Sequence, residues 1–183
     1  MPMPALHERL RFDTAHGQVL DESRRYVLLR ADVLMGLFAE LPPAAREEAL
    51  RAFGRSVARH GADSVRAYAA SAGREALPAS MEGAAASLGW GRWTLDGARA
   101  EGSHPRWALE VENSPFAMAS PNAAAPVCHA IAGMLETLAA ALWNAPAQAH
   151  ETHCAAVDGG PCRFVATPLD PPRSAFPPVT ASR

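Results

Sequence analysis

Short alternating runs open the chain. Leu10-Arg11-Phe12, Gln18-Val19-Leu20 and Tyr26-Val27-Leu28-Leu29 are separated by turn signals at Thr14 to Gly17 and Asp21 to Arg24. This predicts a β-hairpin or short meander over residues 10–30. Asp32 is a good N-cap for a helix carrying Val33, Leu34, Leu37 and Phe38 up to the Pro42-Pro43 break. Pro43 suits the first turn of the next helix, and Glu47 and Glu48 suit its positive end. Leu50, Phe53 and Val57, then Val65 and Tyr68, keep near-helical spacing along it. Gly54 and Gly61 each weaken it by about 1 kcal/mol relative to Ala, and Gly61 is where it would bend or split. A shorter helix over Ala79 to Leu88 places Met81, Ala84, Ala85 and Leu88 on one face.

The period then changes. Arg92-Trp93-Thr94-Leu95 alternates, as does Arg106 to Glu112 with Trp107, Leu109 and Val111 on one side. Asp96 to Pro105 is a Gly-containing connection, and Asn113 to Ala125 a loop rich in Pro, Ser and Ala. A long helix follows from about Pro126 to Trp143, with Val127, Ile131, Met134, Leu135, Leu138 and Leu142 at core spacing. His150 to Thr167 reads as two strands around Asp158-Gly159-Gly160, a strong hairpin turn. Strands, then helices, then strands, a helix and strands imply an α/β (α+β) fold: an antiparallel sheet with a layer of helices. The expected organisation is an N-terminal segment over 1–9, a single domain over 10–168 and a disordered Pro-rich tail over 169–183.

Composition narrows the class. The chain has 183 residues, 49% hydrophobic and 20% charged, which suits one globular domain. A net charge of -2 with pI near 6.4 gives no electrostatic footprint for nucleic acid. All 17 strongly basic residues are Arg. The first dozen residues have no uninterrupted apolar core, so no secretory signal is expected. The most apolar stretch, Ala123 to Trp143, contains His129 and Glu136, so no membrane span is expected either. Three Cys is an odd number that closed disulfides do not accommodate, which points to the cytoplasm and to metal or chemistry.

Cys154 and Cys162 flank the last turn, with Glu151 three residues before the first: Glu151-x-x-Cys154-x7-Cys162. Cys128 begins the helix that ends shortly before them. Three Cys and Glu151 would complete the tetrahedral shell of a structural Zn²⁺, leaving no position for a reactive water. There is an objection of parity, since Glu151 and Cys154 point to opposite faces of a regular strand. A bulge or strand end between them is required, and His150 and His153 are alternative fourth ligands. The competing reading makes Cys128 a small buried hydrophobe and the other two incidental.

Pro126-Val127-Cys128-His129, Gly133, Glu151-Thr152-His153-Cys154 and Gly159-Gly160-Pro161-Cys162-Arg163-Phe164 resemble the 4-vinyl reductase, or hydrocarbon-binding, domain. Leu10-Arg11-Phe12, Gly17 and Arg25 to Leu28 are similar to its opening. The family includes sensor domains of phenol- and toluene-responsive transcription activators. The resemblance implies a fold similar to vesicle-trafficking particle subunits, usually a homodimer, with a C-terminal zinc-bound hairpin. It implies zinc held by Cys128, Glu151, Cys154 and Cys162, and an apolar pocket near it, with Trp93, Trp107, Phe116, Met118, His129 and Met134 as wall candidates. The sensors continue into an ATPase region and a DNA-binding motif. This chain runs into a Pro-rich tail ending at Arg183, so direct transcription activation is not expected. Asn113 to Ala117, Pro126 to His129 and Cys162 to Phe164 resemble most closely the stand-alone J-type bacteriochlorophyll 4-vinyl reductases.

Reduction of a vinyl group requires a hydride source. Gly89-Trp90-Gly91 leads into a strand rather than a helix, so it fails as a dinucleotide loop. Three Cys and a Glu make a poor iron-sulfur shell. No catalytic residue is assigned. The expectation is a cytoplasmic, zinc-containing binder of a small hydrophobic ligand, with a chlorophyllide-type tetrapyrrole of bacteriochlorophyll biosynthesis as cargo. A sensor of phenol-like hydrocarbons and a vinyl reductase needing a partner for hydride are the alternatives. A pure interaction protein without small ligand is a further alternative, with the helix bearing Leu50, Phe53 and Val57 as its dimer face.

Overall fold

In the computed structural model, the described residues are 6–97 and 105–169. Most of the connection expected over 96–105, the first five residues and the tail beyond 169 lie outside them. A short α1 (Leu6–Arg9) leads into the meander β1 (Arg11–Asp13), β2 (Gln18–Asp21) and β3 (Arg24–Tyr26), paired antiparallel in that order. The third strand ends earlier than its apolar run. The pairing with β2 stops at Tyr26–Val19, one residue short of Gln18, where β2 itself begins, so Val27, Leu28 and Leu29 are unpaired and exposed.

α2 (Ala31–Ala39) is capped by Arg30, not by Asp32. Asp32 instead lies in the first turn and pairs with Arg30. Met35 and Phe38 are buried, while Val33 and Leu37 face outward, 53% and 63% exposed. The end of α2 is closed by Arg46, which donates to the carbonyls of Phe38, Ala39 and Leu41. Arg46 belongs to α3 (Pro43–Ala72), a 30-residue helix that runs unbroken through Gly61. α4 (Leu77–Ser87) buries Met81, Ala84 and Ala85, while Leu88, just past its end, is exposed. Leu50 is buried, and Phe53 and Val57 pack against the core, so the face expected to dimerise is occupied internally.

β4 (Arg92–Asp96) and β5 (Trp107–Glu112) pair antiparallel, followed by α5 (Pro115–Met118) and α6 (His129–Trp143). α6 starts three residues later than expected. The final unit is not a tight hairpin: β6 (Ala147–His153) and β7 (Cys162–Pro168) are joined through α7 (Ala155–Asp158) and Gly159-Gly160, both at positive φ (74° and 68°). The sheet order is β4-β5-β7-β6, all antiparallel. Trp93, Leu109, Val111, Cys162, Phe164 and Ala166 fill its inner face, while Arg92–Glu112 and Arg163–Glu110 pair on the outer one. Trp107 is only half-buried and packs over Gly97, where a Cβ would overlap its ring. The mixed helix and antiparallel-sheet class read from the sequence is the class observed.

α6 lies between the sheet and α3, and glycines set how closely it approaches α3. A Cβ at Gly133 would stand 2.2 Å from the Gly54 carbonyl oxygen, and one at Gly54 would stand 2.5 Å from the His129 oxygen. Thr137 Oγ1 donates to the Ala58 carbonyl (3.0 Å) across the same seam. At Gly61 the missing Cβ leaves room for the Met134 methyl. Among the described residues no helix is long and apolar enough to cross a membrane.

This contact yields paired expectations. Gly133→Ala forces two backbones apart and destabilises by about 3 kcal/mol or more. Gly83→Ala, mid-helix with nothing within 4 Å, stabilises by up to about 1 kcal/mol. Urea unfolding monitored by circular dichroism distinguishes the two, and equal effects would refute the close seam.

Candidate functional site

Three structural edges converge on one point. Cys128 is the N-cap of α6, Cys154 follows the end of β6 and Cys162 opens β7; all three are free and fully buried. The parity problem of Glu151 is resolved by a β-bulge. Glu151 pairs with Phe164 and His153 with Arg163, so Thr152 is the extra residue, its hydroxyl donating to the Arg163 carbonyl (3.2 Å). Glu151 thereby joins the cysteines, and the four ligand atoms lie within 4.8 Å of one another. His150 is exposed on the opposite face, and His153 Nε2 donates to the Gly159 carbonyl (2.8 Å). Neither histidine belongs to the cluster.

The donor set fits a divalent ion. The Cys128 and Cys162 sulfurs are 3.7 Å apart. A disulfide needs about 2 Å, whereas two thiolates on one tetrahedral zinc at about 2.3 Å each sit about 3.8 Å apart. Glu151 Oε2 accepts from the Cys128 amide (3.0 Å), but Oε1 is buried with no hydrogen-bond partner. Such an orphaned oxygen is costly unless something positive meets it.

Titration behaviour carries the same message. Burial first, then the Cys154 thiolate, pushes Glu151 up to about 8. Hydrogen bonds from Cys128 and Cys162, with the Val127 and Ala156 amides, hold Cys154 well below the ordinary thiol range. Cys128 is driven far up by its hydrogen bonds to Cys154 and Cys162 and by burial. At Cys162 the bond with Cys128 lowers the pKa, but Cys154 and burial outweigh it, to about 12. Without a cation the crowded donors oppose one another's ionisation, and a divalent cation would let them ionise together.

Ser114 is a residue that the sequence reading passes over. It is buried, caps α5 by accepting from Ala117 N (3.4 Å), and lies 3.3 Å from the Cys128 sulfur. Its signal is the Ser-Pro pair at 114–115, an N-cap followed by proline in the first turn. The Ala155 amide donates to the Cys162 sulfur (3.3 Å).

A cavity of about 230 Å³ lies between the meander, α3 and α4. Met134 forms part of its wall, six residues along α6 from Cys128 and so about 9 Å further down the helix. The other five wall candidates do not line it. Trp93 and Phe116 are core residues, Met118 is 69% exposed, and Trp107 lies over Gly97. His129 lines a separate groove with Arg51 and Gly54, its pKa lowered by burial and then by Arg51. Trp90, which sequence reasoning treats only as part of a failed nucleotide loop, does form part of the wall. Phe116 packs edge-on against it at 5.4 Å, and Trp93 Nε1 donates to its carbonyl (3.1 Å). Two wall candidates thus support the wall from behind.

Residues 107–168 match the family model of the 4-vinyl reductase domain. The matched segment is about a third of the chain. It contains all four cluster residues. The fold continues beyond it: the phenol-responsive sensory domain of the transcription activator PoxR, crystallised with phenol, superposes with a TM-score of 0.73 over 89% of this chain and 86% of that one, at 23% identity. A vinyl-4-reductase family protein from Methanocaldococcus jannaschii is similar at a TM-score of 0.48 and 17% identity, over 76% of this chain and 91% of that one. No curated protein matches the chain.

Proposed function

We propose that this protein binds a small, mainly apolar molecule in the cavity beside α6, and that a structural zinc ion held by Cys128, Glu151, Cys154 and Cys162 fixes the helix that carries one cavity wall. The observation that carries this reading is the single helix shared by the two sites, with Cys128 at its start and Met134 in the wall. Zinc is favoured over harder cations because three thiolates dominate the donor set. A complete four-donor shell suits a brace rather than a reactive centre. The three free thiols suit a reducing cytoplasm.

Cavity size ranks the candidate ligands. An apolar hole of about 150 Å³ accepts benzene, so about 230 Å³ suits a molecule of one or two rings. A tetrapyrrole, with four linked five-membered rings, needs several times more. The volume therefore favours a phenol-like or toluene-like ligand over the chlorophyllide-type cargo, whether carried or reduced with a partner. The likeness of fold to a phenol-responsive sensory domain points the same way.

A homodimer is part of the same reading, through the apolar surface left exposed by Leu28, Leu29, Val33 and Leu37.

Three measurements test these points. The purified protein should contain about one zinc per chain by elemental analysis, and Cys154→Ala should lose it and melt at least about 10 °C lower, a loss of about 3 kcal/mol. Absence of stoichiometric metal with an unchanged melting curve would overturn the centre. Toluene and phenol should change tryptophan fluorescence saturably, while divinyl protochlorophyllide leaves its visible spectrum unshifted; the opposite pair of results reverses the ranking. Leu37→Glu should convert a dimer to a monomer in sedimentation velocity without altering the melt, and a monomeric parent protein refutes the assembly.

A further inference from the structure

The cavity has a polar end that the apolar description leaves out. Arg9 at the end of α1 and Asp21 at the end of β2 meet Tyr68 of α3 there, and all three line the cavity. Arg9 Nη2 donates to Asp21 Oδ2 (3.1 Å) and to the Tyr68 hydroxyl (3.2 Å), with the guanidinium 5.7 Å from the centre of the Tyr68 ring. Asp21 is one of two buried polar residues among the described ones, only 2% exposed. Its Oδ2 is taken by Arg9, but Oδ1 is buried without a hydrogen-bond partner. Of the other polar groups lining the cavity, Arg24 is paired with Glu22 (3.7 Å), Tyr26 of β3 is close enough to Asp21 and Tyr68 to feel their charge, and His60 and Ser64 come from α3.

A carboxylate oxygen accepts and does not donate. Left dry and unpaired, it is costly, and a molecule entering the cavity with an O–H or N–H at its end would relieve that cost. The charge on Asp21 is already balanced by Arg9, so the matching molecule is neutral. Val57, Met81, Leu88 and Met134, which also line the cavity, offer apolar surface to the rest of such a molecule.

We propose that Asp21 Oδ1 is a recognition group for the ligand, selecting neutral one- or two-ring molecules that bear a hydrogen-bond donor over plain hydrocarbons of the same shape. This rests on the small-ligand reading of the cavity given above. It adds a specificity-determining residue from the N-terminal meander, outside the segment that matches the family model.

Phenol, aniline and toluene form a near-isosteric set for titration calorimetry with the full chain. Phenol and aniline should bind roughly 10- to 100-fold more tightly than toluene, the range for a hydrogen bond to a charged group. Asp21→Leu should bring phenol down to the affinity of toluene while toluene itself is held. Tyr68→Phe keeps Asp21 and should keep the preference. Equal binding of phenol and toluene by the unaltered protein overturns the assignment while leaving the small-ligand reading intact, and this comparison decides the matter even if Asp21→Leu fails to fold. Loss of the preference in Tyr68→Phe places recognition on the tyrosine hydroxyl and likewise overturns it. Binding of none of the three removes both the small-ligand reading and this one.

Discussion

A half-buried carboxylate and three buried sulfurs within 4.8 Å of one another cannot all ionise without a compensating charge. Much of the C-terminal half is arranged around that constraint. The start of α6 is remote in sequence from the neighbouring ends of β6 and β7, yet each of the three delivers a donor to the same point. The bulge at Thr152 exists at the one place where strand parity would have turned Glu151 away. The Glu151 oxygen that accepts from the Cys128 amide also takes up a free donor at the helix N-terminus, so ligand positioning and helix capping are one interaction.

From that anchored end α6 runs between sheet and α3, and the glycine seam holds it there. With Gly54 and Gly133 facing each other, the two backbones meet at a distance no side chain permits. The same register carries Met134 to Gly61 and hence to the cavity wall. Apolar packing alone would allow a helix to slide or rotate by small amounts. A fixed N-terminus together with a Cβ-free crossing removes most of that freedom, which is what a preformed cavity needs.

The elements most legible in the sequence were those whose pattern and purpose coincide. The alternation around Leu109 and Val111 marks both a strand and its buried face, and the spacing of Leu50, Val65 and Tyr68 marks the buried side of α3. The four-residue cluster was legible because its chemistry forced a structural conclusion, the bulge, which the strand register then displays. Reading failed where a residue's role depends on the partner it meets. Val27 to Leu29 look like a strand continuing, but the pairing with β2 stops at Tyr26. Gly61 looks like a helix breaker until Met134 occupies the space it leaves. Trp90, between two glycines, has no periodicity to betray that it lines the cavity, and Asp158-Gly159-Gly160 reads as a tight turn although a helical turn intervenes.

The two sites divide unequally along the chain. Every cluster residue lies within 107–168, the segment matching the 4-vinyl reductase model, whereas the cavity wall apart from Met134 comes from residues 6–90. In the function proposed above, bracing and recognition therefore come from different stretches that meet at α6. The brace depends on tetrahedral geometry, which tolerates little variation in its four donors. The wall depends on volume and on one polar corner, which single substitutions alter without disturbing the metal. A substitution at Asp21 or Trp90 changes what fits and leaves the anchor of α6 untouched, while a substitution at Cys128 releases the helix and with it the Met134 wall. On the proposed reading, the brace and the ligand selectivity of this protein could therefore be altered independently, the first through the four donors and the second through the meander and the faces of α3 and α4.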